Sequence, residues 1–218
     1  MTRYLPLVAA ALLAIGGAIY MTQNSGSLPG VSIAEAQEAD ASVDPAPDMA
    51  LGDDAAPVTV VEYASFTCPH CANFHEDVFK KLKSEYVDSG KVKFIHREVY
   101  FDRYGLWAGM IARCGGDARY FGLIDLIYQG QEEWIADGTP ATILENLKKI
   151  GRTTGMSNDE MDACLQNEEM AQSMVAAYQA NAGADEITGT PSFIINGEKY
   201  SNMSYGDFAE ILDEKLAE

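Results

Sequence analysis

The stretch Cys68-Pro69-His70-Cys71 constrains the fold more than any other part of the chain. It follows an apolar, β-branched run over residues 58–63 and opens an amphipathic run that reaches residue 88. This order predicts a strand, a tight turn and a helix, so that Cys68 lies at a helix N-terminus. Pro69 suits the first helical turn, where its missing N–H is not needed.

Two cysteines at this spacing predict redox chemistry. The free amides and the positive dipole end of the helix favour an anion, and they can lower a cysteine pKa to roughly 3.5–7.5. His70 can add positive charge or a hydrogen bond beside the Cys68 sulfur. Cys71 lies within reach to form or resolve a disulfide with Cys68.

Two other interpretations of the cysteine pair stay open. C-x-x-C is also half of a zinc site. The sequence has no second ligand pair at short spacing, and only His75 lies close by. A purely structural disulfide is the other alternative, although so short a loop removes little chain entropy.

Composition limits the partners of the protein. The 218 residues are 47% hydrophobic, which is ample for one core or for one domain with a large insertion. The 15 basic and 33 acidic residues give a net charge of −18, and such a surface repels nucleic acid and anionic membranes. The sequence has no basic stripe, so we expect no nucleic-acid partner.

The N-terminus points to export. Arg3 precedes a nearly apolar run that ends at Met21. We interpret residues 1–21 as a signal peptide or a membrane anchor. The apolar run is long for a signal peptide and barely long enough for a membrane span. We favour a cleaved signal peptide over a retained anchor. Residues 22–54 are polar and small and predict a disordered linker. In either case, the rest of the chain should face an oxidising compartment, where disulfides persist.

Glu62 is out of place in an otherwise apolar strand. A carboxylate in a core strand costs several kcal/mol unless it is paired or protonated. The alternative is a solvent-wetted edge or end position.

A second strand is predicted over residues 91–96, and the strand–helix–strand order predicts a right-handed parallel pair with the first strand. His96 in that strand is interpreted as a satisfied histidine at a strand end.

Cys114 and Cys164 lie on apolar faces of two predicted helices. We favour a disulfide between them because the compartment is oxidising and the cysteine count is even. The chain-entropy model gives such a bond roughly 4 kcal/mol of stabilisation. Two free buried thiols are the alternative.

The C-terminal part predicts a β-hairpin and a last helix. Asn196-Gly197 is a strong hairpin turn signal. Pro191 precedes the first strand of that hairpin, where a proline can be cis, although trans is the default.

The motif around the two cysteines, with Thr190-Pro191 far downstream, resembles the DsbA family of thiol:disulfide oxidoreductases. The resemblance runs from about residue 51 to the C-terminus. It implies an α/β fold: a thioredoxin fold over residues 55–102 and 186–218, with an inserted all-helical domain over residues 103–185. The wholly helical pattern of residues 103–185 agrees with that insertion.

The same resemblance implies roles for individual residues. Cys68 would be the exposed attacking cysteine and Cys71 its buried partner, and His70 would stabilise the Cys68 thiolate. Pro191 would be cis against the disulfide, with the Thr190 backbone pairing with substrate. A further implication concerns Glu62, which matches the family's buried acid.

The implied function is donation of the Cys68–Cys71 disulfide to reduced exported polypeptides, without a prosthetic group. A DsbB-like membrane oxidase would reoxidise the protein, which we expect to be a monomer. A disulfide isomerase or reductase, an envelope thiol donor for cytochrome or metal-site assembly, and a metal chaperone are the alternatives. Two departures from the family matter: Thr190 replaces the valine of the best-studied member, and the Cys114/Cys164 pair is absent from many members.

Overall fold

The computed structural model describes residues 43–136 and 138–218. The predicted signal peptide or anchor at residues 1–21 lies outside these residues, as does most of the predicted linker. Within the described ranges, no helix combines the length and the apolarity that a membrane crossing requires.

A mixed five-stranded sheet forms the centre of the fold. The strands lie in the order β1-β3-β2-β4-β5. Their bounds are β1 Met49–Leu51, β2 Val58–Ala64, β3 Val92–Glu98, β4 Ser192–Ile195 and β5 Glu198–Ser201. β2 and β3 are parallel, as predicted, and the other neighbouring pairs are antiparallel. The hairpin prediction is also confirmed, because Asn196 and Gly197 both have positive φ between β4 and β5.

Eight helices flank the sheet in the described part of the chain. Helix α1 spans residues 69–87 and alternates between α-helical and π-helical turns. The others are α2 Arg103–Cys114, α3 Asp117–Gln129, α4 Gln131–Ile135, α5 Pro140–Thr153, α6 Asn158–Leu165, α7 Glu168–Ala184 and α8 Tyr205–Ala217. Helices α2–α7 all lie between β3 and β4, which confirms a thioredoxin fold with an all-helical insertion.

The hydrophobic core has a part that the insertion shares with the start of α1. Phe66 and Cys71 are fully buried and belong to the same apolar cluster as Ile111, Leu123 and Ile127 of the insertion. A separate cluster lies between the sheet and helices α1 and α8. The insertion therefore packs directly beneath the cysteine motif.

The predicted linker over residues 22–54 ended too late in the sequence. Residues 49–51, which we assigned to the linker, form β1 and pair with β3. Asp48 accepts two hydrogen bonds from the Arg97 guanidinium, and the Pro47 carbonyl accepts one from Arg113. A three-residue strand among small and acidic residues has no periodicity of its own, so long-range partners decide its conformation.

Cys114 at the end of α2 and Cys164 in α6 are joined by a disulfide. The bond closes a loop that contains the whole of helices α3, α4 and α5. Replacing both cysteines with alanine should lower the free energy of unfolding by roughly 2–4 kcal/mol, because the unfolded chain regains its freedom. Urea denaturation of the C114A/C164A variant measures this loss, and a stability equal to that of the wild type would contradict a stapling role.

Candidate active site

Cys68 lies at the end of the turn that connects β2 to helix α1. It is the N-cap residue of the helix, with φ −90° and ψ 117°, and Pro69 follows at the first helical position. Pro69 has no N–H, and the N–H of His70 comes too early in the helix to have a carbonyl partner one turn before it. Its side chain is half-buried, and both Cys68 and Cys71 are free thiols in this structure.

The surroundings of Cys68 strongly favour its thiolate. A hydrogen bond from the Cys71 side chain is the largest of several influences, and burial opposes it. The backbone N–H groups of Cys71 and His70 also favour the anion. Together they lower the pKa of Cys68 to about 5, so this thiol is ionised at neutral pH.

Cys71 has the opposite character. Its side chain is fully buried, and this burial raises its pKa far above the ordinary value. The hydrogen bond to Cys68 and the charge of Glu62 act in the same direction. The pair therefore consists of an accessible thiolate and a buried thiol that keeps its proton.

The loop before β4 closes the site from the opposite side. The Thr190–Pro191 peptide bond is cis. The Cys68 Sγ lies 3.4 Å from the Thr190 carbonyl oxygen. The resemblance to DsbA predicted this position for both residues. The fold brings Thr190 next to Cys68 although 122 positions separate them in the chain.

His70 contributes differently from what its sequence position indicated. Its side chain is exposed, and its effect on the Cys68 thiolate comes from its backbone N–H. The stabilising role of the imidazole stays a prediction. Any residue at this position other than proline would supply the same N–H, so sequence alone could not separate the two contributions.

Glu62 is fully buried, so the solvent-wetted alternative is wrong. β2 is the central strand, with β3 on one side and β4 on the other, and no edge is available there. His75 Nε2 lies 3.0 Å from Glu62 Oε2. Glu62 Oε1 and His75 Nδ1 are buried without hydrogen-bond partners among the described residues.

Sequence reasoning considered His75 only as a zinc ligand and missed its pairing with Glu62. The available signal was spacing, because His75 follows Cys71 by four residues and so shares its face of α1. His75 begins a π-helical turn, and its ring stacks on Tyr128 with centroids 4.2 Å apart. π-turns inside helices occur frequently at functional sites.

His96 completes a buried polar cluster below the cysteines. It lies in the interior of β3, and its two ring nitrogens face the hydroxyls of Tyr120 and Tyr128 at 2.8 Å and 3.3 Å. It is satisfied, as predicted, although not at a strand end. Burial lowers the pKa of His96 to about 4, so the ring is neutral at neutral pH. Ligand atoms of Glu62, His75 and His96 lie within 4.8 Å of one another, and the nitrogens of His96 face tyrosine hydroxyls.

Comparison with known proteins places the chain in a family. A family model described as thioredoxin matches residues 45–214. The chain therefore belongs to the thioredoxin family. Within that family, its sequence and its structure are similar to those of DsbA and related disulfide oxidoreductases.

Three relatives illustrate the similarity. A Rickettsia bellii protein, provisionally named protein-disulfide oxidoreductase, is 33% identical over 78% of this chain and 65% of its own length. Disulfide bond formation protein D of Bacillus subtilis is 26% identical over 76% of each chain. The crystal structure of Wolbachia pipientis α-DsbA1 superposes with a TM-score of 0.74 at 28% identity, covering 80% of this chain and 94% of that one. The chain thus spans less than two thirds of the rickettsial relative.

The pKa of Cys68 gives a prediction for its reactivity. The rate of alkylation by iodoacetamide should rise through a midpoint near pH 5, because only the thiolate reacts. The C68S variant should lose this phase. A midpoint near 8.5, as for free cysteine, would contradict the arrangement described here.

The same shift predicts a pH dependence of stability. The folded-state pKa lies below the unfolded one, so the contribution of Cys68 to the stability of the reduced protein is complete above the unfolded pKa. It is lost as the pH falls through about 5. The stability difference between reduced wild type and reduced C68S should follow this course in urea denaturation at several pH values, and a difference independent of pH would contradict it.

The Glu62–His75 contact gives a prediction for folding. His75→Leu removes the partner of a buried carboxylate and should cost about 3–5 kcal/mol. Glu62→Gln keeps a hydrogen-bonding group beside His75 and should cost less. Urea denaturation of both oxidised variants measures the two losses. A loss below about 1 kcal/mol for His75→Leu would show that the pair is unimportant for stability.

Proposed function

We propose that this protein is a thiol:disulfide oxidoreductase that donates its Cys68–Cys71 disulfide to reduced exported polypeptides. The observation that carries the proposal is the asymmetry of the two thiols. Cys68 has a pKa near 5 and faces the Thr190–Pro191 loop, whereas Cys71 is buried and holds its proton. This combination stabilises the reduced form, which makes the disulfide form an oxidant.

The reaction starts from the Cys68–Cys71 disulfide. A substrate thiolate attacks Cys68 Sγ, the Cys68–Cys71 bond breaks, and a mixed disulfide forms between substrate and Cys68. The Cys71 sulfur leaves as a thiolate and takes up a proton from solvent. Burial and the nearby charge of Glu62 raise the pKa of Cys71, so the thiol keeps this proton. The half-exposed position of Cys68 explains why attack falls on this sulfur.

A second substrate thiolate then attacks the substrate sulfur of the mixed disulfide. Cys68 leaves as a thiolate, and its low pKa makes it a good leaving group. The substrate loses two electrons and gains a disulfide, and the enzyme gains two electrons as one thiol and one thiolate. Because the two sulfurs carry both electrons, the reaction requires no prosthetic group.

The loop before β4 supplies the surface for the substrate chain. The Thr190 backbone lies against Cys68, so an extended peptide that pairs with it would place its own sulfur near Cys68 Sγ.

The proposal includes location and partners. We place the protein in the periplasm, either free or tethered to the inner membrane by residues 1–21, and acting as a monomer. A DsbB-like membrane oxidase would restore the Cys68–Cys71 disulfide. The Cys114–Cys164 bond would serve as a staple of the insertion, because Cys114 lies in α2 and Cys164 in α6, away from the Cys68–Cys71 motif in the sequence.

The test combines a substrate assay with an equilibrium measurement. Oxidised wild type should convert a reduced, unfolded peptide dithiol to its disulfide. C68S and C71S should not, because neither variant can hold the Cys68–Cys71 disulfide that takes up the two electrons. The C114A/C164A variant serves as the matched control and should retain the activity. The equilibrium with glutathione should give a potential less negative than about −180 mV. A potential near about −270 mV, as in reducing thioredoxins, would overturn the donor role.

A further inference from the structure

Gln131 connects the helical insertion to the cysteine motif. It is the first residue of α4 and is buried. Its side-chain Nε2 donates hydrogen bonds to two backbone carbonyls, that of Phe66 at 2.8 Å and that of Cys68 at 3.0 Å. These carbonyls flank Thr67 in the turn that joins β2 to α1. A single amide thus bridges the turn that presents Cys68.

The Cys68 carbonyl is a point of convergence. It also accepts the backbone N–H groups of Cys71 at 3.1 Å and Ala72 at 3.2 Å, which form the first turn of α1. The Gln131 donor therefore acts on the same peptide group that starts the helix. A shift of this group would move Cys68 Sγ away from the N–H groups of His70 and Cys71 that favour its thiolate.

The donor itself is held rigidly. Gly130 separates α3 from α4, and the Trp134 indole N–H donates to the Ile127 carbonyl at 2.9 Å, which fastens the short helix back onto α3. Trp134 and Ile127 are both fully buried. The amide of Gln131 thus comes from a short helix whose Trp134 is packed in the core of the insertion.

We propose that Gln131 is a positioning residue, whose side-chain amide fixes the carbonyls of Phe66 and Cys68 and so holds Cys68 Sγ over the first amides of α1. This inference rests on the proposed function and names a role for the insertion within it. An uncharged donor suits this role, because a carboxylate would repel the two carbonyls and an ammonium would place a buried charge there.

The test replaces the donor and keeps the shape. Gln131→Met has similar length and no N–H, and Gln129→Met is the matched control, because Gln129 is exposed and its amide contacts Asp125. In Gln131→Met the alkylation midpoint of Cys68 should rise by about one pH unit. The equilibrium constant for oxidation of glutathione should fall about tenfold, since one pH unit corresponds to tenfold in the thiolate equilibrium. Gln129→Met should change neither value.

Two outcomes overturn the inference. One is a Gln131→Met protein that melts at a lower temperature but keeps both values within twofold of the wild type. The other outcome comes from NMR of the wild type and needs no folded variant. The chemical shift of the Gln131 side-chain amide should change with pH as Cys68 ionises. A shift as insensitive to pH as that of the Gln129 amide would refute the role. Failure of the proposed function is distinct, because the wild type itself would then not oxidise the peptide dithiol.

Discussion

The stabilisation of a negative charge on Cys68 is the interaction on which the rest of the structure depends. The charge is favoured by a hydrogen bond from the Cys71 thiol and by the backbone N–H groups of Cys71 and His70. The loop before β4 lies against the same sulfur, with the Thr190 carbonyl oxygen 3.4 Å away. The thiol and the N–H groups belong to the start of α1, whereas the loop comes from a distant part of the chain. The sheet fixes all three, because β2 leads into the cysteine motif and β4 pairs with β2 directly after the Thr190–Pro191 loop.

Burial contributes to the difference in pKa between the two cysteines. Cys71 lies in the core cluster that the insertion shares, and Glu62 raises its pKa further. Glu62 in turn is held by His75, whose ring stacks on Tyr128 of the insertion. The helical insertion therefore does more than cover the sheet. Its residues help to bury Cys71, which keeps its proton, whereas the half-buried Cys68 loses its own.

The sequence was most informative where function depends on local order. Strand, turn, proline and helix could be read from neighbouring residues, and the hairpin could be read from Asn196-Gly197. The contacts of Glu62 with His75 and of Gln131 with Cys68 could not be predicted in this way. They join residues from separate elements, and only the packing of the insertion on the sheet brings them together. β1 escaped prediction for the same reason, because its pairing with β3 is decided by distant partners.

The most direct measurement of the central claim compares the stability of the oxidised and the reduced protein at pH 7. If the fold stabilises the Cys68 thiolate, the reduced form must resist urea better than the oxidised form, because forming the disulfide gives up that stabilisation. The account predicts a higher denaturation midpoint for the reduced protein. A higher midpoint for the oxidised protein would contradict it.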